Sequence, residues 1–116
     1  WVNTIALWGR SMGAVTALLH ADRDPSIAGL VLDSPFSSLS KLVNELSYHY
    51  TKLPSFLVSP VLKLISSTIK SKADFDIYQL SPIDHVANSF IPALFATATE
   101  DDFIKPHHCK ELHEAY

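Results

Sequence analysis

Residues 4–21 read Thr4-Ile5-Ala6-Leu7-Trp8-Gly9-Arg10-Ser11-Met12-Gly13-Ala14-Val15-Thr16-Ala17-Leu18-Leu19-His20-Ala21. The run 4–7 is short and mostly apolar, and it leads into Trp8-Gly9. From Met12 onward the apolar residues Met12, Val15, Leu18 and Leu19 recur at helical spacing. A strand, a tight turn at Ser11 and a helix are therefore expected in immediate succession. Residues 28–32, Ala-Gly-Leu-Val-Leu, are apolar without alternation, as in a strand covered on both faces. Residues 91–96 repeat that pattern, with Pro92 where a missing N–H matters least. Residues 106–116 predict a closing helix, with Pro106 in its first turn and Cys109, Leu112, His113 and Tyr116 on one face. Strands alternating with helices indicate a parallel sheet with crossover helices.

Between Asp33 and Pro92 that rhythm breaks. Leu39, Leu42, Val43, Leu46 and Tyr50 share one helical face. Ser59-Pro60 reads as a cap and a first-turn proline, opening a second amphipathic helix through Val61, Leu64, Ile65 and Ile69. The chain thus divides into residues 1–38 (strand, turn, helix, next strand), a helical insertion over 39–90, and residues 91–116 (strand and final helix). As a lid the insertion would cover a nucleophile and shape an acyl pocket. A membrane-surface helix would need a denser basic face than Lys52, Lys63, Lys70 and Lys72 offer, so the lid is preferred here.

The 116 residues carry a net charge of −3, and the basic residues are scattered. Nucleic acid, which needs a clustered basic face, is not expected as a partner. The single cysteine, Cys109, rules out an internal disulfide framework and suits a reducing, cytoplasmic compartment. No apolar run approaches the roughly 18 residues of a membrane span. Membrane association is otherwise left open.

Gly9-Arg10-Ser11-Met12-Gly13 fits G-x-S-x-G. A serine in such a turn is held in a strained backbone conformation, with its Oγ pushed above the sheet. Small residues two before and two after it are expected to let strand and helix approach. The Met12 N–H, at the helix N-terminus, can donate to a developing oxyanion. Chemistry of this kind also needs a carboxylate to orient an imidazole. Asp101 and Asp102 follow the 91–96 strand and qualify equally by composition. Asp33 is a further candidate, its bland role being to cap the Ser34-Pro35 turn. His107, His108 and Cys109 suggest a metal cluster only superficially, because adjacent residues on a helix diverge. Neither a metal nor a cofactor is expected.

On these residues the chain resembles the α/β-hydrolase superfamily, in particular its cytosolic serine hydrolases and serine-aminopeptidase-like proteins. The likeness is carried by residues 7–16, by residues 24–37 (Asp-Pro-Ser-Ile-Ala-Gly-Leu-Val-Leu-Asp-Ser-Pro-Phe-Ser), by residues 90–95 and by residues 101–108. It implies a partial α/β-hydrolase fold with a helical lid-like insertion. It also implies Ser11 as nucleophile, with Gly9, Met12 and Gly13 forming the elbow and oxyanion site. The family places its acid three residues before an aliphatic one; Ile104 fills that place, so the resemblance selects Asp101. Ala98 stands where the family often has glycine. The family's catalytic histidine follows some tens of residues after the acid, and its second oxyanion donor lies upstream of the elbow, so both are expected outside these residues. These 116 residues alone are accordingly expected to be inactive and poorly folded.

The implied activity is hydrolysis of an ester, thioester or amide of a small-molecule or acyl substrate through an acyl-enzyme. The alternatives are a non-catalytic hydrolase-fold binding module and a membrane-recruited protein deacylase.

Overall fold

A computed structural model describes residues 1–52 and 54–116. Strand β1 spans Ala6–Arg10, helix α1 Met12–Arg23 and strand β2 Gly29–Asp33. Helix α2 (Leu39–Leu46), a π-helical turn (Ser47–Thr51) and helix α3 (Ser55–Ala73) follow. Two 3-10 turns, Pro82–Asp84 and Val86–Asn88, lead to strand β3 (Ala93–Ala96) and helix α4 (Pro106–Ala115). Two compact units result. One comprises Trp1–Ser37 with Pro82–Tyr116, the other Ser38–Ser81.

In the first unit the strands form a parallel sheet in the order β1-β2-β3. Register aligns Leu7, Leu30 and Ala93 in one row and Arg10, Asp33 and Ala96 in the last. Side chains alternate across a sheet, so one face carries Leu7, Leu30, Leu32, Ala93 and Phe95. On that face Ala14, Ala17, Leu18 and Ala21 of α1 and Leu112 of α4 complete the core with Ile27, Val86 and Ile91. The Ala-rich inner face of α1 lets the helix lie close on the sheet. Tyr116 ties down the end of α4: its hydroxyl meets Ser89 Oγ at 2.9 Å and donates to the Ile91 carbonyl.

Within these residues β2 is covered on one face only. Leu30 and Leu32 are buried, but Val31 belongs to an open row with Trp8 and Leu94, which are 79% and 62% exposed. Strand β1 also lies further along than the apolar run 4–7, because Trp8, Gly9 and Arg10 find ladder partners in Val31, Leu32 and Asp33.

In the second unit α3 starts at Ser55, not at the expected Ser59-Pro60 boundary. Pro54, extended at φ −56° and ψ 141°, stops the preceding chain, and its carbonyl accepts from Leu57 N–H at 2.9 Å. Pro60 therefore lies inside the helix. It is tolerated because the carbonyl it fails to bond, that of Phe56 four residues earlier, belongs to an exposed residue. The face running from Leu39 to Tyr50 is also not one α-helix, since it passes into the π turn at Ser47.

Candidate active site

Parallel α/β sheets present their loops for chemistry at the carboxyl ends of the strands. Three chain exits meet there, at Ser11 after β1, Ser34 after β2 and Thr97 after β3. The ladder continues past the strands, with Ser11 N–H donating to the Asp33 carbonyl at 2.8 Å and Ser34 N–H to the Ala96 carbonyl at 2.8 Å.

Ser11 has φ 53° and ψ −118°. An L-residue reaches this region only when its surroundings impose it, at a cost of about 1–3 kcal/mol. Three constraints impose it here. The amide of Ser11 is fixed to β2, and its carbonyl accepts from Val15 N–H at 3.1 Å, which commits the next residue to the helix. Third, a Cβ placed on Gly9 would lie 2.2 Å from both the carbonyl carbon and oxygen of Gly13 and 2.5 Å from Ala14 N. No side chain fits there, so Gly9 is what allows the first turn of α1 to cross directly over β1. Gly13 differs from the expectation that both flanking positions must be small: among the described residues nothing lies within 4 Å of a Cβ built on it. Its backbone, rather than its lack of a side chain, is what Gly9 abuts. Met12 is the first residue of α1, so its N–H lies outside the helical ladder and points along the positive end of the dipole.

Asp101 sits in the loop after β3. Its Oδ1 accepts from the Phe103 and Ile104 N–H groups, each at 2.9 Å. Ile104, 3% exposed, anchors this loop in the interior. One carboxylate oxygen is thus held by two donors, and Oδ2 faces a different direction. Asp102 is exposed. Asp33 is engaged differently: one oxygen accepts from Ser34 Oγ at 3.0 Å, and the other lies 3.6 Å from Arg10 Nε. The arginine beside Ser11 is therefore paired with Asp33. Ser11 and Asp101 emerge from strands separated by β2, about 10 Å apart at two inter-strand spacings.

One feature gave no signal in the sequence. His108 is fully buried, and its Nδ1 meets Ser37 Oγ at 2.8 Å and Ser37 N–H at 3.3 Å. Because Nδ1 accepts from an N–H, the ring proton resides on Nε2. This contact ties the buried loop Asp33–Ser37 to the first turn of α4, and so holds the β2 exit against the element that follows Asp101. Cys109 is also structural: its thiol donates to the Ala96 carbonyl at 3.6 Å. Burial, and then the nearby Asp33, push that thiol's pKa up.

No family model matches the chain. It is 31% identical over 113 residues to the uncharacterized protein YqkD of Bacillus subtilis, covering 95% of this chain and 36% of that protein. It is 26% identical over 112 residues to the α/β-hydrolase domain-containing protein WAV2 of Arabidopsis thaliana, covering 96% of this chain and 34% of that one. Among solved structures the Pyrococcus furiosus esterase PF2001 superposes with a TM-score of 0.63 at 23% identity, over 97% of this chain and 39% of the esterase. The chain therefore spans about a third of the length of the curated relatives it matches. Its fold is part of the α/β-hydrolase fold.

Proposed function

We propose that the protein bearing this chain is a serine hydrolase that cleaves an ester, thioester or amide through an acyl-enzyme on Ser11. The observation that carries this reading is the backbone of Ser11, held at positive φ between β1 and α1 by the close approach of Gly9 to Gly13. Lys52 and Asp74 also have positive φ, but at ψ 26° and 40° they sit in the ordinary left-handed region of turns, whereas Ser11 at ψ −118° lies outside it, as suits a nucleophile presented above a sheet. The likeness to an esterase fold supports the same reading.

In this mechanism Ser11 Oγ adds to the substrate carbonyl carbon while its proton passes to an imidazole supplied by the whole protein. The Met12 N–H donates to the oxyanion that forms. Asp101 Oδ2 accepts from the far N–H of the imidazole, fixing its tautomer and stabilising its cation. The imidazolium then protonates the leaving group, and the acyl-enzyme is released by water through the same base. A fluorophosphonate probe should label Ser11 in the full-length protein. Equal labelling of a Ser11→Ala variant would refute the assignment.

A further inference from the structure

We propose that the outer face of α3 docks on an anionic phospholipid surface. This goes beyond the hydrolase reading and does not depend on Ser11.

Helix α3 belongs to the compact unit Ser38–Ser81. Its inner face is marked by Leu62 and Ser66, four residues apart and only 5% and 9% exposed. At about 100° per residue the opposite side carries Phe56, Pro60 and Leu64, flanked by Leu57, Val61 and Ile65. Phe56 and Leu64 are 75% and 71% exposed. A helix facing only water is polar on that side. Here the first half of the outward face is apolar, and it turns polar only at Ser67, Thr68 and Ser71.

The charges indicate what this face meets. Residues 46–73 contain Lys52, Lys63, Lys70 and Lys72 and no aspartate or glutamate. The unit Ser38–Ser81 has five lysines against Glu45, Asp74 and Asp76, a net +2, within a chain of net −3. Along the sequence these lysines read as too thin a basic face for a membrane surface; the helix revises that expectation by bringing three of them to the borders of one apolar side. Lys63 and Lys70 fall on one border of the apolar side and Lys72 on the other. An apolar stripe edged by ammonium groups, with no carboxylate in the stretch, complements a bilayer whose phosphates lie just above its acyl chains. The lysine stems can follow the apolar surface while their heads reach the phosphates. No helix among the described residues is long and apolar enough to cross a membrane, so α3 would lie in the interface.

The test uses the full-length protein, labelled with the environment-sensitive dye NBD at Leu64→Cys and compared with the parent treated identically. Vesicles of phosphatidylcholine, with and without phosphatidylserine, are titrated in. A blue-shifted, brighter signal is expected with the serine lipid, weakening as salt rises. Replacing Lys63, Lys70 and Lys72 together by Gln should weaken binding about a hundredfold, near fivefold per lysine. Ser11→Ala should bind as the parent does, so failure of the hydrolase reading would be seen separately. Three results would overturn the proposal. One is a dye already shielded without vesicles, meaning that protein covers the face. The second is no response to either vesicle, or an equal response to both. The third is binding indifferent to the three lysine changes.

Discussion

Ser11 is strained because Gly9 lets it be, and that dependence can be measured. A methyl group on Gly9 would overlap backbone atoms of Gly13 at 2.2 Å, and backbone cannot rotate away as a side chain can. Gly9→Ala in the full-length protein is therefore expected to cost at least about 1–3 kcal/mol in urea denaturation, the usual scale of overpacking. Where the fold survives, the shifted turn should also lose fluorophosphonate labelling. Unchanged stability would mean that the helix can lift off the strand. The acid is tested at the same scale. Asp101→Asn should lower kcat by about ten-thousandfold, because the imidazole loses both its orienting acceptor and its counter-charge. Asp33→Asn should lower it less than about tenfold, since its exposed pairing with Arg10 is worth at most about 1 kcal/mol. The reverse order would transfer the role to Asp33. Cys109, buried and with its thiol pKa raised, should resist iodoacetamide at neutral pH in native protein and react once it is unfolded. Rapid alkylation of the native protein would contradict its burial.

Among the elements, α1 and α4 were legible from helical apolar spacing and β2 and β3 from short unbroken apolar runs, whereas β1 extends past its apolar run into Trp8, Gly9 and Arg10. Pro106 opens α4 as expected. The insertion was less legible, because Ser59-Pro60 looks like a helix start while Pro54 supplies the actual one. Two prolines six residues apart compete, and local sequence does not reveal which of them opens the helix. The tie between Ser37 and His108 had no sequence signal at all, as its partners are 71 residues apart. It yields a prediction for the elements it joins. His108→Ala would leave a buried hydroxyl and amide of Ser37 without their acceptor, at about 1–3 kcal/mol in urea denaturation of the full-length protein. His108→Asn places an oxygen where Nδ1 stood, and should recover much of that loss. If alanine and asparagine were equally destabilising, the hydrogen bond to Ser37 would not be what the position contributes.

For the molecule as a whole, the open side of the sheet sets the behaviour of these residues in isolation. Trp8, Val31 and Leu94 form one cross-strand row, and Trp8 and Leu94 are largely exposed. Among the described strand residues the only charges on that side are Arg10 and Asp33, and these are paired with each other. Strand β1 is moreover an edge with unpaired backbone groups along its outer side. Natural sheets blunt such edges with charge, proline or a covering element, because an open apolar edge templates association. Chains that bury this row gain about 25 cal/mol per Å² of apolar surface, enough to favour self-association over a dispersed monomer. The 116-residue polypeptide expressed alone is therefore predicted to sediment as a broad distribution of oligomers, without measurable p-nitrophenyl ester hydrolysis. Trp8→Lys with Leu94→Lys should shift that distribution toward monomer, because the substitutions place charge in the exposed row and leave the core around Leu30 and Leu32 untouched. A sharp monomer peak for the unsubstituted chain, with strong amide-exchange protection in β1 and Ser11-dependent turnover, would show that the exposed row is not a liability and that the site can work without further chain.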